Sequence, residues 1–157
     1  MDIRPFIPTD GPWVSARHGA LYAAEEGFDA SFEILVAGIV ADFIATRQEG
    51  RDAGWIGWRD GQRMGSIFVV EEAPGVAKLR LFLLEPEARG TGLAQRMLET
   101  ALGFARDHGY EKMRLWTHES HAAAGRIYAR NGFRLVESEA KRSFGQDVIA
   151  QIWERDL

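Results

Sequence analysis

The chain has 157 residues, enough for one domain with a sizeable core, and no cysteine, which excludes disulfides and thiolate metal sites. Its 46% hydrophobic and 27% charged residues are ordinary globular composition and exclude a disordered chain. A net charge of −4 argues against a general nucleic-acid binder, and no apolar run is long enough to cross a bilayer. Met1–Asp10 lacks a basic-then-apolar signal pattern, so the expectation is a single cytoplasmic domain over residues 1–157 with no membrane association.

Asp2–Ile7 reads as a short edge strand, because Pro5 cannot donate to a ladder. Thr9-Asp10-Gly11-Pro12 is a helix-start pattern, and a helix over Trp13–Gly27 would place Trp13, Ala16, Ala20, Ala23 and Ala24 inward. A second helix over Ala30–Gln48 repeats Phe32, Leu35, Val36, Ile39, Val40, Phe43 and Ile44 at threes and fours, with Asp29 or Ser31 as cap. The period then changes to that of strands. Trp55–Arg59 and Arg63–Val70 flank Asp60-Gly61, a hairpin turn in which both residues tolerate positive φ. Lys78–Leu84 alternates and then runs continuously apolar, as a strand buried on both faces does, until Glu85-Pro86 stops it. A helix over Gly92–His108 carries Leu93, Met97, Leu98, Ala101, Leu102 and Ala105 on one stripe. Lys112–Thr117 is a fifth strand and Ala122–Arg130 a helix closed by Asn131-Gly132. Phe133–Val136 and Val148–Trp153 finish as strands, turning near Phe144-Gly145. The order is β-α-α-β-β-β-α-β-α-β-β, a mixed α/β (α+β) class.

Between the fourth strand and its helix lies Arg89-Gly90-Thr91-Gly92-Leu93-Ala94. A glycine-bearing loop opening a helix aims free backbone N–H groups at one point, which suits an anion, although a tight turn alone has the same composition. The loop lacks the lysine of a nucleoside triphosphate loop and the full glycine fingerprint of a dinucleotide site. It resembles the pyrophosphate loop of the GNAT N-acyltransferase superfamily, [Q/R]-x-x-G-x-[G/A], filled in order by Arg89, Gly92 and Ala94. The resemblance covers essentially the whole chain. It implies the GNAT acyl-CoA N-acyltransferase fold, a mixed, mostly antiparallel sheet splayed between strands four and five with flanking helices. It further implies acetyl-CoA as donor, held by the backbone of Phe82, Leu83 and Leu84 and by Gly90, Thr91, Gly92, Leu93, Ala94 and Gln95. The stretch Arg17–Glu33, with Leu115–Thr117, Ser143–Gly145 and Gln151–Glu154, is similar to the acetyltransferase half of bacterial MarR–GNAT fusion proteins; the chain contains no DNA-binding half.

The last helix is also similar to that family, whose members often read N-x-x-[A]-x-x-x-Y-x-x-x-G-F there, with the tyrosine as general acid. Tyr128, Gly132 and Phe133 fit, and His121 stands where the family has asparagine, as a cofactor contact. Apart from the resemblance, Tyr128 reads as a core aromatic beside Ile127 and Phe133. Some relatives carry a glutamate base on the fifth strand; here that position falls near Trp116, which cannot titrate, leaving His118, Glu119, Glu85 or water as base. Tyr22, Glu26, Phe28 and Glu33 combine aromatic surface with carboxylates that suit an ammonium group, or simply solvate a helix. Four scattered histidines give no metal site. The function implied is direct acetyl transfer to a primary amine of an amino acid, small molecule or peptide. Alternatives are a non-catalytic acyl-CoA-binding sensor and a nucleotide-binding module. Phe144 and Trp153 could support a homodimer.

Overall fold

A computed structural model describes all 157 residues. The elements are β1 (Asp2–Pro5), α1 (Gly11–Glu26), α2 (Ala30–Thr46), β2 (Ala53–Arg59), β3 (Gln62–Ala73), β4 (Val76–Leu84), α3 (Leu93–Asp107), β5 (Lys112–His118), α4 (Ala122–Arg130), β6 (Arg134–Ser143) and β7 (Gln146–Asp156). Short 3-10 turns at Pro8–Asp10 and Pro86–Ala88 complete the chain. The seven strands form one sheet in the order β1-β2-β3-β4-β5-β7-β6. All neighbours are antiparallel except β4 and β5, joined in parallel by the α3 crossover.

Two cores sit on the two faces of the sheet. The stripe of α3 predicted from spacing packs Leu93, Met97, Leu98 and Ala101 against Ile67, Val69, Leu79, Met113 and Leu115. On the other face Val14, Val36, Val40 and Phe43 of the first two helices pack on Phe6, Ile56 and Phe68. The inner face of α1 differs from the expectation. Val14 and His18, one turn apart, are buried, while Ala16, Ala20, Ala23 and Ala24 are exposed. The small alanines bury little area, so the larger Val14 and His18 set the rotation of the helix. Asp29, not Ser31, caps α2, its carboxylate accepting from the Ser31 N–H at 3.0 Å.

β4 also departs from the sequence reading. Only Ala77, Leu79 and Leu83 are buried, and Leu81, Phe82 and Leu84 are half-exposed. The register against β3 runs from Ser66↔Leu83 to Phe68↔Arg80, so two residues of β4, Leu81 and Phe82, oppose one of β3. Leu81 takes a φ of 52° in this bulge, and the Ser66 hydroxyl donates to its carbonyl at 2.7 Å. The parallel ladder to β5 stops at Leu79↔Leu115. Beyond it Leu81, Phe82 and Leu84 line a cavity while packing only partly against the two cores.

β6 and β7 are longer than expected, and their turn is Phe144-Gly145, with φ of 54° and 78°. This hairpin is tied to the connection between α1 and α2. The Asp29 N–H donates to the Phe144 carbonyl at 3.0 Å, and Gln146 Nε2 donates to the Gly27 carbonyl at 3.0 Å. The first two helices and the last hairpin thus close one side of the opening between β4 and β5.

Candidate active site

The opening between β4 and β5 is a cavity of about 550 Å³. Because the two strands share no ladder past Leu79 and Leu115, their backbone N–H and C=O groups there are available to a ligand with amides of its own. Phe82, Leu83 and Leu84 line this cavity, as do Arg89, Ala94, His121 and Tyr128. The other loop residues do not. Leu93 is fully buried in the core and offers only its backbone. Gln95 exchanges hydrogen bonds with the Asn131 side chain at 2.8 and 2.9 Å, tying α3 to the end of α4. The Thr91 hydroxyl donates to the Ala88 carbonyl, pinning the loop from within.

Gly90 and Gly92 both have positive φ, 77° and 86°, and a Cβ on either would meet no protein atom within 4 Å. What glycine supplies here is the left-handed backbone that turns the chain into α3, with Gly92 as its N-cap. The first turn of α3 leaves backbone N–H groups without helical partners on the open side of the loop. These residues fit a pyrophosphate. Arg89 reaches across to α1, where its guanidinium pairs with both carboxylate oxygens of Glu25.

Tyr128 is 6% exposed, edge-on to Phe133 with ring centroids 5.7 Å apart. Both readings of this residue therefore meet in one side chain, since its ring is core and its edge lines the cavity. Burial, reinforced by nearby Tyr22, pushes its phenol well above the ordinary range. It holds its proton at every physiological pH, so its hydroxyl is available to donate.

The first helix contributes more than expected. Tyr22 stacks among His18, Phe28, Phe32 and His121. Glu26 lies 3.1 Å from His121 Nε2, so α1 is bonded to the residue that stands at the family's asparagine position. Tyr22 and Glu26 line the cavity. Phe28 lies behind that wall, against Tyr22, His118 and Phe144, and Glu33 folds over Gly19 outside it. Among the base candidates only His118 lines the cavity. Its pKa is lowered, first by burial and then by His121, so it is neutral and able to accept a proton near pH 7. Glu119 is exposed on the loop. Glu85 is locked in an ion pair with Arg17 at 2.8 Å and does not reach the cavity.

Three further cavity residues escaped the motif reading: His18, Lys78 and Arg80. The signal for the last two was the charge alternation in Lys78-Leu79-Arg80-Leu81. His18 is 2% exposed, its Nδ1 2.7 Å from the Val14 carbonyl and its Nε2 without a partner. Burial lowers its pKa to about 4. The unfolded chain, with a histidine near 6.5, therefore binds more protons than the folded one as pH falls from 6.5 towards 4. Stability is full above that window and declines within it, by about 3 kcal/mol from this residue. Denaturant melts of wild type and His18→Gln at pH 7 and pH 4 should differ in pH dependence by that amount. An identical pH dependence would show that His18 does not stay neutral.

A sheet parted at a bulge, with a glycine-capped helix on one side and a protonated tyrosine on the other, is the architecture of the N-acyltransferase class. The chain belongs to the acetyltransferase (GNAT) family, whose model matches residues 18–133. It is 29% identical to rat N-acetyltransferase family 8 member 2 over 130 residues, covering 73% of this chain and 58% of that protein. It is 33% identical to rat N-acetyltransferase 8 over 101 residues, 60% of this chain and 46% of that protein. The chain spans about half the length of the curated relatives it matches. An acetyltransferase from Streptococcus agalactiae has the same fold, with a TM-score of 0.81 at 20% identity over 99% of this chain and 98% of that one. So does yncA from Salmonella typhimurium, solved with its cofactor acetyl-CoA, with a TM-score of 0.80 at 16% identity over 99% and 93%.

Proposed function

We propose that the chain is an acetyl-CoA-dependent N-acetyltransferase that passes the acetyl group directly to a primary amine in the cytoplasm. The observation that carries this reading is the convergence on one cavity of the unpaired end of β4 and the protonated Tyr128. Direct transfer forms the amide C–N bond and breaks the thioester C–S bond. Backbone N–H groups of β4 polarise the carbonyl, Tyr128 donates to the departing sulfur, and His118 takes the amine proton, directly or through water. The likeness to the acetyltransferase half of MarR–GNAT fusions belongs with this reading, resting on the α1–α2 stretch and the closing strands.

Acetyl-CoA and CoA at 100 times their dissociation constants should each stabilise the protein by about 2.7 kcal/mol, while ATP should not. Acetyl-CoA with an amine panel should then release thiol, and kcat/KM should lose its limb below about pH 6.5 in His118→Ala. No shift with either CoA species overturns the proposal. Binding without turnover on any amine would favour a second reading, an acyl-CoA sensor. The commitment of His121 to Glu26 is the observation on that side.

A further inference from the structure

We infer that the acceptor is an amine carrying a free carboxylate, an amino acid with an apolar side chain, and that Arg80 is the carboxylate anchor. The inference rests on the acetyl-transfer reading above and adds the class of acceptor to it.

The placement follows from strand alternation. Ala77 and Leu79 of β4 point into the core under α3, so Lys78 and Arg80 point to the opposite face, towards α2. Arg80 is the last residue before the Leu81–Phe82 bulge and pairs with Phe68 of β3. On β5, Trp116 stands on the same face, with Lys78 Nζ 4.4 Å above its ring. All three line the cavity that Tyr128 lines. The anchor and the backbone that would polarise the thioester are therefore consecutive on one strand. An acceptor carrying both an amine and a carboxylate can thus meet the two within one cavity.

Burial and position single out Arg80. Two arginines line the cavity, and of these Arg89 is paired with Glu25. Arg80 forms no salt bridge, and its Nε is buried with no hydrogen-bond partner. Glu72 and Asp42 act on it only from a distance, and burial weakens the charged form of the guanidinium. Glu72 approaches Lys78 instead, at 3.9 Å. The two carboxylates that line the cavity, Glu25 and Glu26, are engaged by Arg89 and His121. One end of the cavity thus holds a half-buried guanidinium and an ammonium without a full complement of anions. A planar carboxylate satisfies the guanidinium fork. Leu35 and Ile39 of α2 and the Trp116 ring form the adjacent wall, which is apolar and suits the acceptor's side chain.

The test compares phenylalanine, phenylalaninamide and phenethylamine, which share a ring and an amine and differ in the carboxylate. With saturating acetyl-CoA, kcat/KM for phenylalanine should exceed that for the other two by about 10- to 100-fold, the range of a hydrogen bond to a charged group. Arg80→Gln should collapse that ratio to within about threefold, and Arg80→Lys should keep part of it. A second measurement does not need turnover. Phenylalanine should raise the melting temperature of the wild-type CoA complex more than phenethylamine does, and Arg80→Gln should erase the difference. Equal treatment of the three amines by wild type overturns the carboxylate assignment. So does an Arg80→Gln variant with the ratio intact, or one whose only defect is a raised KM for acetyl-CoA. Stabilisation by acetyl-CoA with turnover blind to the carboxylate defeats this inference alone. No stabilisation by acetyl-CoA or CoA defeats the acetyl-transfer reading and this inference together.

Discussion

Tyr128→Phe should lower kcat by about 10²–10⁴ while leaving the affinity for acetyl-CoA and the melting temperature close to wild type. The ring does the packing, against Phe133 and Trp153 at centroid distances of 5.7 and 6.3 Å, and phenylalanine keeps it. The hydroxyl forms no hydrogen bond inside the protein and is not among its sealed-off polar atoms, so its removal strands no partner. What disappears is the donor that the proposed mechanism assigns to the departing sulfur. Because burial raises this phenol above its ordinary value of about 10, its ionisation should place no falling limb in the rate profile below that pH. Stopped-flow detection of free thiol from pH 6 to pH 10 would measure both points. Full turnover of the variant across that range would return Tyr128 to a purely structural role.

Gly92→Val should abolish stabilisation by acetyl-CoA, with an affinity loss of at least about 100-fold, or close to 3 kcal/mol. A β-branched residue at φ 86° is strained by about 1–3 kcal/mol, and its relief would swing the loop away from the start of α3. The N–H groups of the first turn would then no longer converge on one point. Gly103→Ala is the matched control. It lies in the interior of the same helix, and a Cβ there meets nothing within 4 Å. It should gain about 0.5–1 kcal/mol from helix propensity and bind acetyl-CoA as wild type does. A Gly92→Val protein with an undiminished acetyl-CoA shift would show that the loop geometry is dispensable for the donor.

Much of the architecture was legible because it is written locally. The six apolar positions of α3 recur at helical spacing, and all six are buried. Asp60-Gly61 and Phe144-Gly145 are turns of consecutive positive φ, the first foreseen from residue type. Edge strand β6 was read as four residues rather than ten because Glu137–Arg142 is exposed on both faces, and a strand with no buried side has no period to detect. The continuously apolar end of β4 is as compatible with a lined cavity as with a second core layer; a bulge decides between them, and no local pattern announced it. The motif residues Arg89 and Tyr128 lie on the cavity lining and Gly92 caps α3, so the candidate site could be located from them. It was not legible where partners are distant in sequence. The bond from Glu26 to His121 joins the end of α1 to the cap of α4, and the free charge of Arg80 is defined by which carboxylates elsewhere are already engaged.

The short parallel ladder also sets the mechanics of the molecule. The strands β1 to β4 form one leaf of the sheet and β5, β7 and β6 another, and the two meet along only four residue pairs, Val76–Leu79 with Lys112–Leu115. Each leaf is stiffened by long antiparallel ladders, whereas the seam is brief and lies at the end away from the bulge. Beyond the seam the two leaves are tied through the helices and loops, by the Asp29–Phe144 and Gln146–Gly27 bonds and the Glu26–His121 pair. The width of the slot is thereby fixed by side chains and not by a ladder, because residues of both leaves share the single core beneath α3.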